Sequence, residues 1–187
     1  MTPRPHERAA RPNEAAIATP IRATIPTLTT KRLTLRAPAP EDFPVLLAIS
    51  TGPQSPGIGG PMSRDEAWFG LAQMTATWVL RGHGWWAVTM DDETIGFVGI
   101  GLEPGDLEHE LGYMFADTAQ GQGYATEAVL AARDWAFGPL GLATCVSYIN
   151  ADNARSIAMA ERVGAVRETP ADWPHADTFV YRHRRPT

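Results

Sequence analysis

Apolar and polar positions alternate over 32–37 (RLTLRA), which predicts a first strand. Pro40-Glu41-Asp42 then opens a short helix through Ile49, with acids in its first turn. The Gly- and Pro-rich stretch 51–61 reads as loop. Ser63 followed by Glu66 is a capping-box pattern, and Trp68, Leu71, Thr75 and Trp78 recur behind it at helical spacing. A helix over 64–81 follows, ended by Gly82 and Gly84. Runs 85–91 and 94–103 read as strands joined by a tight turn at Asp91-Asp92-Glu93, and 109–115 as a further strand. Ala125, Ala128, Val129, Ala132, Trp135 and Ala136 make one helical face over 124–137. A β-branched strand at 143–149, a helix from Asn153 to Val163 and strands at 165–168 and 178–183 complete the chain.

This order predicts an α/β (α+β layered) domain with a mixed sheet, because helices must cover sheet faces. Residues 1–26 hold five prolines and no apolar period, so they read as a flexible arm, or a segment that packs only loosely, ahead of a single domain at 27–187. The 187 residues suffice for one core without staples, and Cys145 is the sole cysteine, which excludes a disulfide scaffold. Cys145, mid-strand and flanked by apolar residues, reads as a core thiol. Neither a membrane-length apolar run nor a signal-peptide core is present, so the expected compartment is the cytoplasm, without membrane association.

The net charge of −5 is unevenly spread. Seven Lys/Arg and two acids fall within 1–36, whereas eight acids and no Lys or Arg lie between Asp91 and Asp117. That balance argues against a nucleic-acid partner. Around a site it would attract a cation such as an amine; elsewhere it is a solvated acidic surface.

The most informative segment is strand 109–115, loop 116–123 and helix 124–137. Gly121 and Gly123 sit where the chain turns into the helix. Such glycines let successive N–H groups converge on an anion, aided by the helix N-terminus; a plain tight turn has the same look. Gly123 is followed by Tyr124-Ala125, which fails the P-loop pattern, and Thr126 stands where a dinucleotide fingerprint needs a third small residue. Gln120-Gly121-Gln122-Gly123-Tyr124-Ala125 instead reads Q-x-x-G-x-A, and resembles the acyl-CoA pyrophosphate loop of the GNAT superfamily of N-acetyltransferases. Asn153-Ala154-Arg155-Ser156, with Glu161-Arg162-Val163-Gly164-Ala165 downstream, and the opening at 28–46 resemble its RimJ/RimL-like branch, which includes ribosomal-protein N-terminal acetyltransferases.

The resemblance implies a GNAT fold: a mostly antiparallel sheet of about seven strands, splayed between the fourth and fifth (109–115 and 143–149), with helices on both faces. It implies acetyl-CoA as co-substrate, no metal, and a primary amine acceptor, either a protein N-terminus or a small cationic amine. The protein would act as a monomer or homodimer. Backbone groups of Met114, Phe115 and Ala116 would pair with the pantetheine arm, and the Phe115 N–H would polarise the thioester carbonyl. Gln120 and the N–H groups of Gly121, Gln122, Gly123, Tyr124, Ala125 and Thr126 would form the pyrophosphate site. Asn153 would hold the cofactor arm or simply cap its helix, and Arg155 would reach the 3′-phosphate. Glu110 is the expected general base, with Glu108 in reserve because a bulge leaves the register ambiguous, and His175 as a weaker option. The superfamily's usual acid is a tyrosine, but that position is Ala160, so Ser156 takes the role by implication. Trp85, Trp173 and His175, with Glu110, are the expected acceptor contacts. The alternative is a GNAT-fold module that binds acyl-CoA without turnover.

Overall fold

The computed structural model describes residues 2–53, 55–171 and 173–185. Gln54 and Asp172, in the 51–61 and 169–178 loops, lie outside them, as do residue 1 of the expected arm and residues 186–187 at the end of the expected domain. Among the described residues one sheet holds eight strands: β1 (Leu28–Thr29), β2 (Thr34–Arg36), β3 (Trp85–Met90), β4 (Glu93–Gly101), β5 (Glu110–Phe115), β6 (Thr144–Asn150), β7 (Val166–Arg167) and β8 (Thr178–Arg184). Their order is β1-β2-β3-β4-β5-β6-β8-β7. The strand beyond the expected seven is β1, two residues that pair with β2 ahead of the RLTLRA run and are too short to show alternation.

The β3–β4 hairpin forms because Asp91 and Asp92 both take positive φ, 49° and 65°, the primed-turn geometry that matches strand twist. Helices α2 (Phe43–Thr51) and α3 (Arg64–Arg81) cover one face of the sheet, burying Phe43, Leu46, Ala67, Leu71 and Met74 against Ala87 and Phe97. Helix α4 (Tyr124–Phe137) covers the other, where Ala128, Val129, Ala132 and Ala136 meet Val98, Ile100 and Leu111. Helix α3 starts on a reciprocal capping box, Ser63 N–H to Glu66 Oε2 (2.7 Å) and Glu66 N–H to Ser63 Oγ (3.2 Å). It stops at Gly82, which is left-handed (φ 71°).

The N-terminal segment differs from a flexible arm. Residues Pro12–Arg22 form α1, a helix that composition did not mark, with no buried side chain. Both flanks are anchored. Glu7 is buried between the Arg4 N–H (2.7 Å) and the Arg64 guanidinium (2.5 Å), and Ile25 and Pro26 reach the core beside Trp86, whose Nε1 donates to Pro26 O (2.7 Å). The Arg64 hydrogen bonds hold the Glu7 carboxyl down at about 2. A depressed carboxyl stabilises the fold above its unfolded value and loses that contribution as pH falls toward the folded one, here between about 4.5 and 2. Glu7→Ala is expected to free the arm: limited proteolysis would cut within 8–26 while 27–185 stays intact.

The β5–α4–β6 crossover makes β5 and β6 parallel, and they share one paired position, Glu110 with Val146. Beyond it the two strands diverge. This is the expected splay, between β5 and β6 in the present numbering.

Candidate active site

Hydrogen-bonded pairs alternate along an antiparallel ladder. Ala116 N–H donates to Ile95 O (3.0 Å), so Met114 and Gly112 carry the bonds from β5 to β4. The backbone edges of Leu111, Tyr113 and Phe115 therefore face β6 across the split. The edge offered to an extended ligand is Tyr113 and Phe115, not the Met114-to-Ala116 run expected from sequence, because the N–H groups of Met114 and Ala116 point to β4.

A cavity of about 460 Å³ fills the split and continues onto the α2/α3 face. Its walls include Leu46, Met62 and Met74, then Trp85, and the strand residues Glu110 to Met114 and Ser147 to Asn150, with Ser156 on helix α5 (Ala154–Arg162) and Asn153 at its N-cap. The Trp85 indole lies flat over the Gly99–Gly112 pair, so close that a Cβ at Gly112 would come within 2.6 Å of the ring. Those glycines make room for the indole as a cavity wall. Among the described residues of this lining the carboxyls are Glu103 and Glu110, and there is no Lys or Arg.

Glu110 occupies the last paired position before the strands part. Burial, reinforced by Asp106 and Glu103, raises its carboxyl to about 7, against one hydrogen bond from the Tyr148 N–H (3.3 Å) that lowers it. A carboxyl poised there exchanges protons near neutral pH. Its burial also costs stability. The folded state loses nothing to it below its unfolded value near 4.5, and progressively more as pH climbs to about 7. Glu110→Gln is therefore expected to raise stability by roughly 3 kcal/mol at pH 8, about 5–10 °C in Tm, and by little at pH 5. Thermal melts at the two pH values check this.

Glu108, the reserve base, is gripped by Arg182 through both carboxylate oxygens (2.6 and 2.7 Å). That pairing lowers its carboxyl, the wrong direction for a base. His175 is exposed, and neither it nor Trp173 is among the described residues lining the cavity. Trp173 instead stacks on Tyr148 (5.2 Å between ring centroids), a wall residue, and meets His175 edge-on (5.3 Å). Cys145 is wholly buried, and its thiol is pushed up to about 12 by burial.

Asn153 Oδ1 accepts from the Ser156 N–H (3.1 Å) and so caps α5; its amide also borders Gly57 on the far wall. Ala160 is buried against Ile149 and Tyr181. Tyr113 brings a phenol to this helix from β5, donating to Ser156 O (3.3 Å). Arg155 is exposed on the same helix.

At the glycine turn, Gly121 (φ 74°) and Gly123 (φ 79°) are both left-handed, and Gly123 is the N-cap of α4. Space beside Gly121 is open. Gln120 and Gln122 brace the loop from within, through Asp117 Oδ1 (2.7 Å) and Thr118 O (3.3 Å). Tyr124 is buried in the core; Ala125 and Thr126 are half-buried in the first turn of α4. The stretch lacks Lys and Arg in sequence, yet Arg32 reaches it from before β2. Its guanidinium covers the Tyr124 ring (4.6 Å), donates to Gln122 O (3.0 Å) and pairs with Glu127 (2.7 Å). Arg32, Glu103, Tyr113 and Tyr148 escaped the sequence reading. A hairpin and a crossover bring them to the site, and no local spacing marks them.

A parallel strand pair opened at one end, beside a two-glycine turn into a helix and with a half-buried carboxyl at the opening, is the arrangement of the GNAT acetyltransferases. Residues 32–166 match the acetyltransferase (GNAT) domain model, and the chain belongs to that family. It is similar to the acetyltransferase of Agrobacterium tumefaciens str. C58, with 40% identity, 86% of this chain and 95% of that one covered, and a TM-score of 0.81. The acetyl transferase from Salmonella typhimurium that modifies the N-terminal serine of 50S ribosomal subunit protein L7/L12 shares the fold, at 19% identity, 87% and 99% coverage and a TM-score of 0.70. The uncharacterized protein YkkB of Bacillus subtilis (strain 168) is 35% identical over 92 residues, 45% of this chain; the matched stretch spans about half the length of that relative, 52%. No described helix is long and apolar enough to cross a membrane.

Proposed function

We propose that this protein transfers the acetyl group of acetyl-CoA to a primary amine by direct attack, within a complex that holds both substrates. Acetyl-CoA supplies the activated thioester. The observation that carries the reading is the Glu110 carboxyl, raised to about 7 at the point where the sheet opens. A base with that poise takes the proton of an ammonium acceptor near neutral pH. The Phe115 N–H faces the split and stabilises charge developing on the carbonyl oxygen, while the edge of Tyr113 aligns the pantetheine arm. The N–H groups of 121–126, at a helix N-terminus, hold the pyrophosphate, with Arg32 bracing the turn. The Ser156 hydroxyl donates a hydrogen bond to the departing thiolate, directly or through water, and Arg155 lies along the 3′-phosphate.

The acceptor enters on the α2/α3 face. Trp85, Met62 and Met74 give it an apolar bed, and Glu103 with Glu110 gives it a negative field without a compensating Lys or Arg in the described lining. That favours a protein N-terminus or a small cationic amine over an amine carrying an adjacent carboxylate. The RimJ/RimL-like branch and a cytoplasmic setting accord with this reading. Ala160, buried where the superfamily's tyrosine stands, is the observation that favours a non-catalytic acyl-CoA-binding module instead.

A panel of peptides, diamines and amino acids incubated with acetyl-CoA separates the two. The expected result is release of CoA thiol with an acetylated product for amines lacking a neighbouring carboxylate. Tight acetyl-CoA binding with no acetylated product across the panel would establish the module.

A further inference from the structure

In a regular parallel ladder the bond after the Glu110–Val146 position would run from Tyr148 N–H to Leu111 O. The preceding bond is present, Val146 N–H to His109 O (2.9 Å). The next one is replaced on both sides. Leu111 O accepts from the Ser147 hydroxyl (2.7 Å), and Tyr148 N–H donates to Glu110 Oε1 (3.3 Å). Two side chains thus stand in for the two halves of one missing backbone bond, at the position where the strands part.

The Ser147 hydroxyl has a single proton, given to a carbonyl that can only accept. Its second contact, His183 Nε2 at 3.0 Å, must therefore be donated by the imidazole. That fixes His183 as the Nε2–H tautomer and leaves Nδ1 a bare acceptor, which is buried and has no hydrogen-bond partner. Burial keeps the ring neutral, its value lowered to about 4. Ser147 and His183 are 3% and 2% exposed, so water does not compete for either contact.

We propose that Ser147, its hydroxyl aimed by His183, is a positioning residue that keeps the sheet split at Leu111 and thereby holds the Glu110 carboxylate on the Tyr148 N–H. The inference rests on the acetyl-transfer reading of the cavity and adds to it a mechanism for keeping that cavity open. Without the hydroxyl, Leu111 O regains Tyr148 N–H, the ladder closes by one step, and Glu110 loses that donor. The other groups that act on Glu110 are Asp106 and Glu103 from the 102–109 loop, and Tyr113 on its own strand senses its charge; none of them replaces the lost donor.

The test compares wild type with Ser147→Ala, Ser147→Thr, which restores a hydroxyl, and His183→Phe. Acetyl-CoA affinity is measured by calorimetry, the pH dependence of kcat/KM by CoA release, and the Tyr148 amide by hydrogen exchange. For Ser147→Ala, affinity is expected to fall about tenfold, the scale of one buried hydrogen bond. The acid limb of kcat/KM is expected to move to higher pH, because a carboxylate deprived of an N–H donor holds its proton more tightly. The Tyr148 amide should exchange more slowly, now bonded within the ladder. Ser147→Thr should return all three toward wild type, and His183→Phe should give the same changes in smaller measure. Unchanged affinity, pH limb and Tyr148 exchange in Ser147→Ala would overturn the inference, whatever happens to Tm. A wild type that binds no acetyl-CoA would overturn the acetyl-transfer reading itself. The Tyr148 exchange rate would still decide the positioning role.

Discussion

Replacing Glu110 with Gln is expected to lower kcat/KM by roughly a hundredfold or more at pH 8, the usual contribution of a positioned general base. The amide oxygen can still accept from the Tyr148 N–H, so the split keeps its shape and acetyl-CoA affinity should hold. The pH dependence is the diagnostic part. The wild-type rate should rise through the carboxyl's value of about 7, since only the ionised form takes a proton. The variant should lack that limb. The gap between the two is therefore widest above pH 7 and narrows in acid, where the wild-type carboxyl is itself protonated. It narrows again toward the acceptor amine's own pKa, where free amine is supplied by solvent. With the stability gain expected for the same substitution, the variant becomes a poorer catalyst in a firmer fold. That combination separates a functional carboxyl from a structural one.

Gly123→Glu is expected to lose acetyl-CoA binding almost entirely. A side chain there grows from the N-cap of α4, where a Cβ would stand 3.5 Å from the Arg32 guanidinium. Its carboxylate would compete with the pyrophosphate for Arg32 and for the N–H donors of the loop, and would face the pyrophosphate. Two like charges about 4 Å apart at an effective dielectric near 20 repel by ~4 kcal/mol, roughly a thousandfold in affinity. The backbone at 123 is left-handed (φ 79°), so part of any effect is strain. Gly123→Asn controls for it, because Asn tolerates that conformation and carries no charge. Calorimetry should find binding largely kept in Gly123→Asn and lost in Gly123→Glu. Equal loss in both would move the anion site away from this turn.

The element order was legible because each element carries its own local signal. The capping box at Ser63, the two glycines before Tyr124 and the alternation of RLTLRA lie at the expected elements in the structure. The segments that misled lack such signals: α1 is a proline-bearing helix with no buried face, and β1 is two residues long. Glu110 and the glycine turn could be singled out because strand position and a compact motif mark them. Ser147 and His183 could not. Their contacts depend on β8 inserting between β6 and β7, and a serine in a β-branched strand looks unremarkable until its neighbour across the split is known. Arg32 makes the same point in reverse. The Lys- and Arg-free stretch around the glycine turn suggested a site held by backbone alone, and a residue 90 positions away in the chain brings a guanidinium to it.

In the proposed function the split between β5 and β6 holds the thioester of acetyl-CoA. A crystal structure with a non-hydrolysable acetyl-CoA analogue tests it most directly. The expected result is the pantetheine arm between the two strands, bonded to the backbone of Tyr113 and Phe115, the carbonyl oxygen on the Phe115 N–H, and the pyrophosphate on the N–H groups of 121–126. An analogue bound on another face, with the split closed or occupied only by solvent, would contradict it.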